Sequence, residues 1–153
     1  MLGTALGIVG AVSGITALIV SGYQAQLAKR ATSLQAVLPM YELYQSPAFR
    51  QTRAKLYRRE LSFKTLSFDE EQDLRTLINH LEFLRTLVEL RIVGFNVVHD
   101  LYRKSPPLVW REIERTWVRM QREGALPEPN PGYARNFEKL MRRYDRTEGW
   151  SLP

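Results

Sequence analysis

The side chains that could do acid–base or metal chemistry are few in this sequence. It has two histidines, His80 and His99, and no cysteine. Glu82 and Glu89 follow His80 on a predicted helix. Neither histidine stands in a Glu-x-x-His or His-Glu-x-x-His arrangement, so the patterns of di-iron bundles and zinc proteases are absent. The spacing of His80, Glu82 and Glu89 fits an ordinary polar helix face better than a metal site.

Nucleophilic and cofactor chemistry find no stronger support. His99 and Asp100 are adjacent, and a surface pair explains them better than a catalytic dyad. Trp110 and Trp117 are seven residues apart and fit core anchors better than a ligand site. The chain lacks a nucleophile elbow and the glycine motifs of phosphate-binding and dinucleotide-binding loops. We therefore expect no enzyme activity, no cofactor and no metal.

A stripe of small residues is the most ordered feature of the N-terminal segment. It consists of Gly3, Gly7, Gly10, Gly14, Ala17 and Ser21. Steps of four and three place all six on one face of a helix. Glycine is common in membrane helices generally, but six positions in phase favour an interface at which two backbones approach closely. The seven-residue repeat favours a left-handed crossing with a second copy or with a different protein.

The same segment has the length and apolarity of a membrane anchor. Residues 2–28 carry no charge, and a spanning helix needs about 20 apolar residues. Lys29 and Arg30 follow the apolar run, so the positive-inside rule places the N-terminus outside the inner membrane and the remaining chain in the cytoplasm. A cleaved signal peptide is the alternative, but its basic start and short apolar core are both missing.

The part of the chain after the predicted anchor is basic. The chain has 22 Lys and Arg against 16 Asp and Glu, a net charge of +6. Its densest cationic cluster is Arg50, Arg53, Lys55, Arg58 and Arg59, which we place on one face of a helix, opposite Phe49 and Leu56. This face is either simply solvated or, together with Lys29 and Arg30, contacts anionic lipid headgroups. Nucleic acid is a weaker partner because no binding motif accompanies the cluster.

The apolar positions after the anchor follow helical periods, which predicts an all-α chain. We divide it into a transmembrane anchor at 1–28, a juxtamembrane helix or linker at 29–45, a helical domain at 46–145 and a tail at 146–153. Pro39 is expected to bend the juxtamembrane helix because proline removes a backbone donor. The helical domain is expected to be a small cytoplasmic bundle of about four to five helices.

Several helix ends are marked in the sequence. Ser46-Pro47 is typical of an N-cap followed by a first-turn proline. Ser67 and Glu70 form a predicted capping box at the start of the longest helix. Gly94 is the expected stop of that helix.

The order of these features resembles a family of small bacterial and phage proteins, the domain of unknown function 4760. The residues that carry the resemblance are Ser46-Pro47-Ala48-Phe49-Arg50, Gly94, Trp110, and Tyr133 with Phe137 and Leu140. The resemblance covers nearly the whole chain and implies a helical architecture and a membrane address. It assigns no catalytic or ligand-binding residue. Pro39 departs from the pattern.

Two functions follow as expectations. The first is a single-pass accessory or scaffolding subunit that packs its small-residue face against other transmembrane helices of a membrane complex. The second is a membrane-tethered regulator or effector whose basic helical domain binds an anionic ligand, either lipid headgroups, nucleic acid or a phosphorylated signal.

Overall fold

The computed structural model describes the backbone of residues 2–124 and 129–148 and the side chains of residues 20–29, 31–124 and 129–147. Over these residues the chain is helical and contains no strand, which confirms the all-α prediction. The α-helices are α1 (Leu2–Tyr44), α2 (Pro47–Tyr57), α3 (Phe68–Glu89), α4 (Phe95–Tyr102), α5 (Ser105–Ile113), α6 (Arg119–Glu123) and α7 (Arg135–Glu148). A π-helical turn, Glu114–Val118, joins α5 to α6.

Helix α1 is one helix of 43 residues, and Pro39 lies inside it without ending it. Its side chains up to Thr32 are exposed wherever the structure describes them, and Ser33 is the first buried one. We call residues 20–32 the stalk and residues 33–44 the packed part of α1. Val37 and Tyr44 of the packed part are buried in the bundle, so packing on both sides of Pro39 holds the helix together.

The core lies between α3, α5 and α7, with α2 and the packed part of α1 closing it. Its largest fully buried side chains include Leu74, Leu77, Ile78, Leu81 and Leu84 of α3, Trp110 and Ile113 of α5, and Phe137 and Leu140 of α7. The Trp110 and Phe137 rings meet edge to face, with centroids 5.1 Å apart. Removing this much apolar surface from water is the main force that holds the helices together.

The two predicted N-caps are confirmed. The Ser46 hydroxyl accepts a hydrogen bond from the Phe49 amide, and Pro47 occupies the first turn of α2. Ser67 and Glu70 form the complete capping box of α3, in which each side chain accepts from the other's backbone N–H. These local signals position α2 and α3 as the sequence predicts.

The predicted role of Gly94 is wrong. Helix α3 ends at Glu89, and Gly94 instead precedes the first turn of α4 with an extended backbone at φ −70° and ψ 139°. The left-handed residue after α3 is Arg91, with φ 58°. The hydrogen bond from Arg91 N to the Val88 carbonyl closes the turn there, so α3 has ended before the chain reaches the glycine.

Candidate functional site

The predicted packing face falls mainly on residues whose side chains lie outside the described part. Gly3, Gly7, Gly10, Gly14 and Ala17 belong to this group, although their backbone forms part of α1. Ser21 is described and is exposed on the stalk. Among the described residues, no helix combines the length and the apolar content needed to cross a membrane.

The stalk carries apolar side chains that the bundle does not cover. Val20, Tyr23 and Leu27 are 47%, 63% and 46% exposed. A Cβ placed on Gly22 would meet no atom within 4 Å. Burial of these side chains therefore requires contact with something other than the described part of this chain.

The predicted anionic-contact residues separate into different environments. On α2 and the turn after it, Arg50 is exposed and Arg53 is buried. The other three have carboxylate partners: Lys55 with Glu70 at 2.8 Å, Arg58 with Glu60 at 3.7 Å and Arg59 with Glu112 at 3.2 Å. Lys29 is exposed on the stalk, and the Arg30 side chain lies outside the described residues. The five cations of the α2 region therefore do not share one exposed face.

Arg53, which the sequence placed on the exposed face, is held in the core by the end of α1. Its guanidinium lies over the Tyr44 ring, 3.8 Å from the centroid, and donates a hydrogen bond to the Tyr44 carbonyl. Tyr44 is the last residue of α1, so its carbonyl has no partner in its own helix. A cation at this position also interacts favourably with the negative end of the helix dipole. Arg53 therefore acts as a cap for α1, supplied by α2.

His80 lies in the core next to this cap, a position that the sequence interpretation missed. Its Nε2 is 3.1 Å from the Tyr102 hydroxyl, and its ring stacks on Tyr44 with centroids 5.5 Å apart. Burial, followed by the Arg53 charge, lowers the pKa of His80 to about 4. The signal was present in the sequence, because His80 stands three residues after Leu77 and four before Leu84 on the apolar face of α3.

A chain of hydroxyl groups extends from this cluster to the start of α5. The Ser105 hydroxyl lies 2.7 Å from the Tyr44 hydroxyl and 2.8 Å from that of Tyr57. Burial raises the pKa of the Tyr44 and Tyr102 hydroxyls far above their usual value, so both are neutral at neutral pH. His80 is bonded to Tyr102 and not to Ser105, so the cluster does not form a serine–histidine pair. We interpret it as a satisfied polar core that fixes α1 against α2, α3 and α5.

The acidic residues considered beside the histidines have structural partners of their own. Glu82 accepts a hydrogen bond from the Asn136 amide in the first turn of α7, and Glu89 faces Arg85 at 3.7 Å. His99 Nδ1 lies 3.6 Å from the Asp100 carboxylate. Within the described ranges, no three His, Asp or Glu side chains are grouped to hold a metal ion.

Comparison with known proteins identifies a family to which this chain is similar. The sequence model of the family described as "Domain of unknown function (DUF4760)" matches residues 11–144. Comparison with curated proteins gives no match, and comparison with solved structures gives none. The matched region includes every contact described above, from the stalk to α7.

Proposed function

The chain belongs to the DUF4760 family, and we propose that it is a single-pass membrane accessory or scaffolding subunit. In this proposal residues 1–28 are the anchor, and their small-residue face packs against other transmembrane helices of a membrane complex. The helical bundle stays on the cytoplasmic side, where it contacts the partner. The observation that carries the proposal is that the bundle leaves Val20, Tyr23 and Leu27 of the stalk exposed, although the stalk and the packed part belong to one continuous helix.

The uncovered stalk supports an external partner for α1. Leaving its apolar side chains in water costs about 25 cal/mol for each Å² of apolar surface that could be buried. The preceding residues from Leu2 continue the same helix and are free of charge. In this proposal lipid contacts the Leu, Ile and Val side chains of the anchor, and a second helix packs against the small-residue face.

The packed part of α1 supports a scaffolding role because it couples the stalk rigidly to the bundle. The Ser33 hydroxyl donates to the Ile92 carbonyl at 3.3 Å, and Tyr44 is held by Arg53 and Ser105 at the other end. Between these contacts α1 has no break. A partner that fixed the stalk would therefore also fix the orientation of the bundle.

The direct test is to enlarge the small-residue face in the full-length protein. Replacing Gly7, Gly10 and Gly14 together by Leu should release the protein from its complex, because the backbones can no longer approach closely. Native gel electrophoresis of mildly solubilised membranes measures this as loss of the high-mass band.

A matched control enlarges the opposite face of the same helix. Val9→Leu with Val12→Leu should leave the complex intact. The proposal is overturned if the glycine variant assembles like the wild type. Migration of the wild type only as a free monomer, with and without crosslinker, would overturn it as well.

One observation favours the second candidate function, a membrane-tethered regulator that binds an anionic ligand. Cations that are distant in the sequence converge beside the base of the stalk, around Lys29. This function predicts that binding of anions by the full-length protein weakens as salt is added.

A further inference from the structure

An open cleft lies where the stalk enters the bundle, and its lining is strongly cationic. The cleft has a volume of about 490 Å³. Its charged lining consists of Lys29 from α1, Arg85 and Glu89 from α3, Arg91 from the following turn and Arg143 from α7. We call this the basic cleft. Four cations and one carboxylate therefore meet at one place, although they span most of the sequence.

The protein itself neutralises little of this charge. Arg85 faces Glu89 at 3.7 Å, and its Nε is buried without a hydrogen-bond partner among the described residues. In the part of the chain that the structure describes, Lys29, Arg91 and Arg143 have no carboxylate within ion-pair distance. Like charges held together are unfavourable unless an anion joins them.

The first turn of α4 adds a second source of positive potential at the same cleft. Gly94 and Phe95 line the cleft, and Gly94 provides no side-chain cap for the helix that follows. The amide groups at the start of a helix have no intrahelical partner and favour an anion. Arg143 is held beside this turn, with its guanidinium 4.6 Å from the centroid of the Phe95 ring.

The cleft is assembled before any ligand arrives. Hydrogen bonds from Arg91 N to the Val88 carbonyl and from Ile92 N to the Leu87 carbonyl fix the turn after α3. The bond from the Ser33 hydroxyl to the Ile92 carbonyl then ties this turn to α1, four residues after Lys29. Such preorganisation lowers the entropy lost on binding.

We propose that the basic cleft binds a phosphate group, and that this phosphate belongs to the headgroup of an anionic phospholipid. Several guanidinium groups around a helix N-terminus match a phosphate, which accepts charge-assisted hydrogen bonds on several oxygens. Lys29 is six residues beyond Tyr23, or about 9 Å along the helix. That distance reaches the headgroup layer when the preceding apolar run fills the hydrocarbon core. The lipid source rests on the proposed membrane anchor, whereas the phosphate site does not.

The experiment measures binding to the full-length protein in a nonionic detergent by isothermal titration calorimetry. Three probes are compared: inorganic phosphate, a short-chain phosphatidylglycerol, and the phosphatidylcholine of the same chain length. The wild type should bind phosphatidylglycerol about tenfold more tightly than phosphatidylcholine, and added salt should weaken the binding.

Two variants remove the site by different means, and each has a matched control. Arg91→Asn removes a cation at a position with left-handed backbone, which Asn tolerates. Its control is Arg59→Asn, which removes a cation from another left-handed position, at φ 56°, that lies outside the basic cleft. Gly94→Asp puts a carboxylate at the start of α4; its control is Gly94→Ala. A Cβ at Gly94 meets no atom within 4 Å, so both variants of this glycine should fold.

The expected result is a loss of about tenfold or more in phosphatidylglycerol affinity for Arg91→Asn and for Gly94→Asp, with both controls near the wild type. Site-dependent binding of inorganic phosphate without preference for phosphatidylglycerol would support the phosphate site and overturn its lipid source. The proposal as a whole is overturned if no probe binds, or if both site variants bind like their controls. Neither failure touches the scaffolding proposal, whose test changes only the N-terminal half of α1.

Discussion

The α2 region and the basic cleft carry similar numbers of cations but use them in opposite ways. The α2 region places five within ten residues, and the structure then buries Arg53 and gives carboxylate partners to Lys55, Arg58 and Arg59. The basic cleft draws four from three helices and a turn, and among the described residues only Arg85 of these four has a carboxylate within ion-pair distance. The number of cations that are close together in the sequence therefore does not measure the positive potential that a ligand meets. Ion pairs neutralise some of these cations, and burial keeps others out of reach of the ligand.

The comparison also separates a structural from a binding use of arginine. Arg53 completes the backbone hydrogen bonding at the end of α1, and its guanidinium is buried, so a ligand in solvent cannot reach it. Arg143 lies on the Phe95 ring but keeps its charge beside an uncapped helix start. Substitutions in the two regions should accordingly have opposite effects on stability.

The largest effect is expected at Arg53. Arg53→Ala removes the cap of α1 and the guanidinium that covers Tyr44, so the free energy of unfolding should fall by roughly 2–4 kcal/mol. Urea unfolding of the full-length protein followed by circular dichroism measures this. The control is Arg50→Ala on the exposed side of α2, with an expected change within about 0.5 kcal/mol. Equal losses for the two variants would contradict a buried role for Arg53.

The next largest effect is expected at His80, whose burial predicts that the stability of the protein depends on pH. The pKa of His80 is about 4 in the folded protein and 6.5 in a free side chain. Between these values the unfolded chain binds a proton that the folded chain does not, so stability rises with pH across this window and is lost on acidification. The loss should be on the order of 3 kcal/mol.

The matched variant for this effect is His80→Gln, which retains a hydrogen-bonding group near Tyr102 but does not titrate. Denaturant unfolding of both proteins at a series of pH values measures the difference. An unchanged pH dependence in the variant would show that the acid sensitivity comes from other groups.

A smaller effect of opposite sign is expected in the basic cleft. Gly94→Asp should raise the free energy of unfolding by about 0.5 kcal/mol, because the new carboxylate caps the first turn of α4 and faces the cleft's cations. Gly94→Ala lacks the carboxylate and should give no increase. Thermal unfolding in phosphate-free buffer measures both, and a destabilised Gly94→Asp would contradict an uncompensated positive potential there.

The smallest effect is expected at the Lys55–Glu70 pair, which is partly exposed. The hydrogen bond that Lys55 donates to Glu70 lowers the pKa of the Glu70 carboxyl and raises the pKa of the Lys55 amine. Lys55→Met should lower the melting temperature slightly at low salt, and the difference from the wild type should shrink as salt screens the pair. A difference that persists at high salt would indicate lost packing of the side-chain stem and not a lost ion pair.

Local signals made part of this structure predictable. Ser46 and Ser67 start α2 and α3 because a hydroxyl next to free amides acts within three residues and needs no tertiary partner. Gly94 was misassigned because a glycine at this position is compatible with the end of α3 and with the start of α4. The choice between them depends on where α3 packs against α1 and α7. His80 and Arg53 were assigned to polar faces because residue type outweighed their positions beside apolar neighbours.

By itself, the sequence determined the helical class, the main helix starts, and an apolar, charge-free opening followed by a basic domain. These properties depend on periodicity and on contacts within a few residues. Only the tertiary structure decided which cations are paired, that Arg53 and His80 lie in the core, and that Lys29, Arg85, Arg91 and Arg143 line one cleft. The physical reason is that burial and charge interactions act through space, and they act between residues that the helices bring together from distant parts of the chain.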